Sequence, residues 1–414
     1  MQELLRARVP ATFCARCKGR KLLCGLPSCP FIQRFYAQVK ACIAIEGDEA
    51  WGATPPDVVV GEKGYPRIFV GLSIPPGIGG GMARMYYDPP NWWGKLSMED
   101  LVKLRSSMVR GLVRVDVEKP WVLRKYELDV AAVSTKPVDA EVVFEKRPAP
   151  RLSFSDRLAP QAPSAPAKNV KICSNPRVEK ALEKAMNDDV TAQRAIVELY
   201  EKGVSIYVIQ RALSMGLLGR RCARRLVPTR WAITAVDRAI SRYLLSRIKG
   251  RPTINESQLF FVEYLGNRFW IYLQPGTYEI HWIEVWHPST IYTQNATQTI
   301  VVYNHEKISG TPEYLDGGFE AAKLSVLEYL NAISRQARVF ILREILPTYY
   351  APVGNWHIRE SVKHAFENTV AKDVDVREVV EHISSVSIDA GKAFEEYVHE
   401  LRKIRKLTFF VERP

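Results

Sequence analysis

A chain of 414 residues is too long for one ordinary hydrophobic core, so two or three domains are expected, and 47% apolar, 25% charged and 10% aromatic residues are a globular protein's proportions. No apolar run approaches the roughly 20 residues that span a bilayer, and the opening MQELLRARVP is too short and too charged for an export signal; this argues against a membrane partner and for the cytoplasm. The 58 Lys and Arg against 45 Asp and Glu leave a net charge of +13, an excess that suits polyphosphate partners where it is concentrated.

The first feature along the chain is CARCKGRKLLCGLPSC, four of the seven cysteines in the spacing C-x2-C-x6-C-x4-C. Cys14 and Cys17 can grip one ion from a tight knuckle, and Cys24 and Cys29 close a tetrahedral thiolate set. Gly19 and Gly25 stand where the chain must turn sharply, and Lys18, Arg20 and Lys21 offset part of the thiolate charge. A redox CxxC needs a thioredoxin-like strand and helix that this polar segment lacks, and a reducing compartment disfavours disulfides. A structural Zn2+ is the expectation. Cys42, Cys173 and Cys222 are scattered and read as buried free thiols.

From Trp51 to about Phe144, short β-branched runs alternate with Pro/Gly turns. DVVVGEKGYPRIFVGLSIPP reads as two strands broken by a Gly-Tyr-Pro turn. GIGGG (Gly77 to Gly81) could cradle a phosphate, but it follows Pro75-Pro76 and matches neither the Walker nor the dinucleotide pattern, so a flexible loop is the better reading. SMEDLVKLRSSMVRG reads as a helix with Ser97 as N-cap, Glu99 and Asp100 in the first turn and Gly111 as its stop. Arg147 to Asn169 carries five prolines and few apolar anchors, which predicts an exposed linker.

Lys171 to Gly250 reads as helical, Leu259 to Val302 as strand-rich and aromatic, and the chain from Phe319 onward as mostly helical. Between Lys202 and Arg251 there are twelve basic residues against one acid, Asp237. VSIYVIQRALSMGLLGRRCARR has the pattern of a helix, a Gly turn and a second basic helix, loosely a helix-turn-helix. Arginine predominates there, as expected where planar forks grip phosphate, and Arg211, Arg220, Arg221, Arg224, Arg225 and Arg230 are the candidate nucleic-acid contacts. A solvated face, or pairing with acids elsewhere, would use the same residues.

Catalytic signals are weaker. In HWIEVWH a strand would put His281 and His287 on one face and Glu284 on the other, which argues against a metal site from this stretch alone. GNRFW and PTYYAPVGNWHIRE place Arg268, Tyr349, Tyr350, Trp356, His357 and Arg359 near element ends. Aromatic faces beside arginines could hold a base and its phosphate, or could seal an interface. Arg268, Glu284, Glu344, Tyr349, Trp356 and Arg359 are the candidate pocket; no catalytic residue is assigned.

CARCKGRKLLCGLPSCP, VGEKGYPRIFVG, YDPPNWWGKLSMEDLVKLRSSMVRG, LVPTRWAITAVD, EYLGNRFWIYLQPGTYEIHWIEVWHP and LREILPTYYAPVGNWHIRE follow one another in order. In these motifs, from Cys14 to about Arg359, the chain resembles the archaeal Nre family, proteins assigned to DNA repair. The resemblance implies an archaeal source, a location in the cytoplasm with the nucleoid, N- and C-terminal family domains, a DNA-damage role, and partnership with the replication sliding clamp through a C-terminal motif. That motif runs Gln, two residues, an aliphatic, two residues, two aromatics. In KIRKLTFFVERP, Leu407 at the aliphatic position puts Phe410 and Val411 at the aromatic ones and Ile404 where Gln is expected; with Phe409 and Phe410 as the aromatics, Lys406 takes the aliphatic place. Either register departs from the pattern, and Leu407, Phe409 and Phe410 could instead dock on the protein's own core.

The expected fold is α+β: a zinc segment (1–45), a mixed strand and helix region (46–146), a Pro-rich linker (147–169), a basic helical segment followed by a β-rich one (170–302), a helical C-terminal family domain (303–400) and a clamp-binding-like tail (401–414). The expected function is a DNA repair protein that binds DNA or other nucleic acid through a basic surface, carries structural zinc and docks on the clamp. The alternative is an enzyme acting on nucleic acid or a nucleotide, by phosphodiester or nucleotidyl or ADP-ribosyl-type transfer, with its pocket where the family domains meet.

Overall fold

The two apolar runs at Val58–Val60 (β2) and Arg67–Ile74 (β3) pair as the expected antiparallel hairpin, with Val60 opposite Val70 and a left-handed Gly64 in the turn. They belong to a computed structural model that describes residues 17–22, 28–152, 162–288, 290, 293 and 296–411, with side chains to Leu401 and at Lys403. The chain divides into an N-terminal unit (17–22 and 26–243) and a C-terminal unit beginning at Leu244.

In the N-terminal unit, helix α1 (Pro30–Ile43) is followed by β1 (Glu49–Thr54), then β2 and β3, α2 (Met98–Ser106), β4 (Val109–Asp116), β5 (Val138–Phe144) and β6 (Ser164–Ile172). These strands form one sheet in the order β1-β5-β6-β4-β3-β2, antiparallel except for β4 with β6. Ser97 caps α2 in a reciprocal capping box with Asp100, as its sequence predicts. The helix nevertheless ends at Ser106, and Gly111 does not stop it: Gly111 lies inside β4, where a Cβ would come within 2.5 Å of Val142 Cγ1. The linker reading also needs correction at its end, because Ser164–Ile172 is a strand between β5 and β4. Backbone pairing on both edges recruits this stretch, with only Ala165 and Val170 as buried apolar anchors, so no hydrophobic pattern announces it. Cys42 is half-buried and Cys173 and Cys222 are exposed, which corrects their reading as buried thiols.

Helices α3 (Lys180–Asn187), α4 (Ala192–Glu201), α5 (Ile206–Ser214) and α6 (Thr229–Ile248) follow. The expected second basic helix is absent: between α5 and α6 only Arg221–Ala223 turns, as a short 3-10 segment. There Arg224 donates to the carbonyls of Met186, Asp188 and Gly219 at 2.7–2.8 Å, and Leu226 N–H bonds Val117 O at 2.8 Å. Tertiary hydrogen bonds replace the local ladder that a helix would need.

The C-terminal unit holds β7 (Gln258–Tyr264), β8 (Asn267–Gln274), β9 (Glu279–Trp286), β10 (Ile300–Lys307), α7 (Gly317–Ala332), β11 (Arg338–Ile345), α8 (Trp356–Ala365), β12 (Thr369–Lys372), α9 (Val376–Val386) and α10 (Ile388–Val411). The sheet order is β10-β9-β11-β8-β7-β12, with β11 parallel to β9 and antiparallel to β8. A stretch read as mostly helical thus supplies a strand inside the sheet. One face carries Trp270, Tyr272, Ile283, Val285, Phe340 and Leu342 against Val379, Ile383 and Phe394 of α9 and α10. Each such side chain contributes about 1.5–3 kcal/mol on burial. On the other face Trp282 meets Phe319 of α7 edge to face. Among the described residues no helix is long and apolar enough to cross a membrane. The α+β class is observed, as two mixed sheets with their helices.

Candidate functional site

Successive residues of a strand face opposite ways, and β11 puts its two charged neighbours, Arg343 and Glu344, into separate polar clusters of the C-terminal unit. Arg343 stands opposite Glu284 of β9 and ion-pairs with it at 2.7 Å. Its remaining donors reach Asn267 Oδ1 at 2.8 and 2.9 Å, while Asn267 Nδ2 is committed to Leu265 O. The guanidinium lies over the rings of Phe269, Trp286 and Tyr349. His357, in the first turn of α8, donates from Nδ1 to Gly354 O at 2.7 Å and turns Nε2 toward Arg343 at 3.4 Å. Burial and then the adjacent guanidinium hold the imidazole pKa down at about 3, so it is neutral with Nε2 as a lone-pair acceptor. Burial, opposed by Arg343, leaves the Glu284 carboxyl above its ordinary range.

Both helix starts near this cluster belong to the same surface. A Cβ at Gly318, in the first turn of α7, would lie 3.8 Å from Arg343 Nη1 and 3.1 Å from Ile358 Cδ1 of α8. The carboxyl ends of the parallel strands β9 and β11 and the N-termini of α7 and α8 thus converge, the general location of ligand sites in sheets with parallel strands.

On the opposite face Glu344 is 1% exposed and accepts from His287 Nε2 at 2.6 Å, Ser387 Oγ at 2.5 Å and Arg268 Nη1 at 3.2 Å. Burial alone would raise its pKa; the hydrogen bonds from His287 and Ser387 and the nearby charges outweigh it and hold the carboxyl ionised. The expected pocket is therefore two clusters. Arg268 and Glu344 join His287, while Glu284 and Tyr349 join Arg343 and His357. Trp356 precedes His357 and donates to Val353 O, and Arg359 is buried in α8 with its carbonyl accepting from Ser325. Arg343 and Asn267 were not among the candidates. An arginine within the apolar run RVFILREI is the one signal that could have marked the first.

His281 takes no part in either cluster: Nδ1 lies 2.9 Å from the Tyr397 hydroxyl and the ring stacks on Phe340 at 4.6 Å. In GIGGG, Gly77 N–H bonds Trp51 O at 2.7 Å and Gly80 N–H bonds Asp139 Oδ1 at 3.2 Å, so an aspartate already takes the donor of Gly80.

The arginine candidates separate by what their guanidinium groups do. Arg224 is spent on three carbonyls, and Arg211 donates to Ala132 O at 2.6 Å and lies against the Tyr87 ring. Arg220, Arg221, Arg225 and Arg230 are exposed, with Arg221 also reaching Asn187 O and Arg230 at 3.7 Å from the exposed Glu62.

Of the four clustered cysteines, Cys14 and Cys24 lie outside the described residues. Cys17 opens a tight turn closed by Arg20 N–H to Cys17 O at 3.0 Å, with Lys18 and Gly19 both left-handed. Cys29 N-caps α1, and its Sγ is 3.1 Å from where a Cβ would stand on Gly19. The turn after Cys17 and the Cys29 thiol are thus adjacent. Among the described residues no group of three or more His, Cys, Asp or Glu is arranged to hold a metal. In the tail the backbone is helical to Val411, while the side chains of Ile404, Leu407, Phe409, Phe410 and Val411 lie outside the described set.

Two family models match the chain: "Archaeal Nre, N-terminal" over residues 23–293 and "Archaeal Nre, C-terminal" over 304–410. DNA repair protein NreB of Archaeoglobus fulgidus is 36% identical over 391 residues, which is 92% of this chain and 95% of that protein. DNA repair protein NreA of the same organism is 35% identical over 361 residues, 86% of this chain and 88% of its own length. DNA repair protein NreA of Haloferax volcanii is 32% identical over 355 residues, 82% and 84% of the two chains. No solved structure matches.

Proposed function

The chain belongs to the archaeal Nre family, and from that membership we propose that it acts in DNA repair, holding nucleic acid on a basic surface of its N-terminal unit and docking on the sliding clamp through its C-terminal tail. The observation that carries the repair role is similarity over 82–92% of the chain to proteins named for it. The exposed Arg220, Arg221, Arg225 and Arg230 support backbone contact, whereas Arg211 and Arg224 serve the fold. A Zn2+ ion on Cys14, Cys17, Cys24 and Cys29 would act as a cross-link at the start of the chain rather than in chemistry.

Fluorescence anisotropy with labelled oligonucleotides over a salt series tests nucleic-acid binding: affinity falling steeply with salt is the expected result, and no binding at low salt refutes it. Deleting the last twelve residues tests docking, since clamp binding that survives the deletion removes the tail from the account.

A second reading, an enzyme acting on nucleic acid or a nucleotide, is favoured by the Arg343–Glu284–His357 cluster. Strands β7–β9 fall in the N-terminal family segment and β10–β12 largely in the C-terminal one, yet they share one sheet. The cluster therefore stands inside one structural unit, where the two family segments meet. Turnover of a nucleotide or oligonucleotide that is abolished by Glu284→Gln would establish it.

A further inference from the structure

The exposed aromatic side chains of the N-terminal unit are not scattered evenly. Tyr65, in the β2–β3 turn, and Trp231, in the first turn of α6, lie with ring centroids 5.7 Å apart, tilted by 40°. They remain 48% and 46% exposed, and large aromatic surface left in water beside a second ring calls for an occupant. Thr229 holds them together, because its hydroxyl accepts from the Val60 N–H of edge strand β2 at 2.8 Å and contacts Ser214 Oγ at 3.2 Å. That bond fixes the start of α6 against the hairpin and places Trp231 beside Tyr65.

The surroundings are cationic. Lys63 and Arg67 flank Tyr65 in the hairpin, and Arg230 precedes Trp231; all three are exposed. Farther along, Phe69, 40% exposed, stands opposite the exposed Arg114 on the next strand. Glu62, 3.7 Å from Arg230, is a loose partner at the surface, with 80% of the Arg230 side chain exposed.

We propose that Tyr65 and Trp231 are a stacking platform for the unpaired bases of single-stranded nucleic acid, with Arg230 and its basic neighbours on the backbone. The inference rests on the nucleic-acid reading above and adds to it a strand class and a site. Single-stranded segments turn base faces outward, where any base can lie on an aromatic ring, while a duplex keeps its bases stacked on one another. A phosphate backbone accounts for the exposed Lys63, Arg67 and Arg230 beside the rings more directly than a protein partner does.

The test uses the full chain, a fluorescent 20-nucleotide thymidine oligomer and a duplex of the same length. Tyr65→Ala and Trp231→Ala should each weaken oligomer binding about tenfold or more, with little change for the duplex and an unaltered salt slope, since no charge is removed. Trp231→Phe should retain most of the affinity. Ultraviolet cross-linking of a bromouracil-substituted oligomer to the wild-type chain, mapped by mass spectrometry, should mark peptides carrying Tyr65 or Trp231, a readout independent of any variant's folding. Equal oligomer affinity in both alanine variants, or cross-links confined to other peptides, overturns the platform while the basic-surface reading stands. Loss of a protein partner with oligomer affinity unchanged overturns it as well. A wild-type chain that binds neither oligonucleotide removes both readings together.

Discussion

Arg343 of β11 and Glu284 of β9 meet at 2.7 Å across a parallel strand pair, with the two side chains 6% and 13% exposed. Two buried charges so placed stabilise only as a pair, because either alone would keep its desolvation cost. Arg343→Met should therefore lower unfolding free energy by about 3–5 kcal/mol, and adding Glu284→Gln should recover part of that loss. Urea denaturation of the single and double variants measures this coupling; strictly additive losses would show that the two residues act independently.

His357 makes stability depend on pH in a defined direction. Its folded pKa is about 3 against an ordinary 6.5, so below 6.5 the unfolded chain takes up a proton that the folded chain refuses. The contribution is complete above pH 6.5 and falls by about 1.4 kcal/mol per pH unit as pH drops from there toward 3. His357→Gln should flatten the stability profile between pH 6 and about 4, relative to wild type. An identical slope in both proteins would assign the pH dependence to other groups.

Neighbouring arginines should separate under mutation. Arg224→Ala strands the carbonyls of Met186, Asp188 and Gly219 and should cost about 1–3 kcal/mol of stability, visible as a lower melting temperature. Arg220→Ala with Arg225→Ala should melt like wild type. If these two residues contact phosphates, their loss should reduce the salt slope of nucleic-acid binding by about 0.7–0.9 per contact. A large melting shift for the Arg220 and Arg225 double variant would contradict their exposure.

The cysteine cluster should carry one zinc per chain by elemental analysis. Cys17→Ser and Cys29→Ser should each lower that content and allow a chelator to remove the remainder faster. Full zinc occupancy after both substitutions would place the metal elsewhere.

Local chemistry was legible wherever neighbours in sequence decide the outcome. The Ser97–Asp100 capping box, the β2–β3 hairpin and the opposite facing of His281 and Glu284 follow from turn residues, capping residues and the two-residue period of a strand. The family resemblance was legible for a related reason: it rests on the order of short motifs, which needs no folding to be read.

What only tertiary structure decided involves partners far apart in the chain. β6 joins its sheet by backbone bonds on two edges rather than by an apolar pattern, and β11 inserts between β8 and β9, which begin 71 and 59 residues before it. Arg224 looks like Arg220 in sequence and differs because three carbonyls surround it. Arg343, Glu284 and His357 become a cluster, and Tyr65 meets Trp231, only after long loops have closed. Sequence sets what each residue can do over a few neighbours; burial and pairing with distant residues decide which of those capacities is used by the fold and which is left to a ligand.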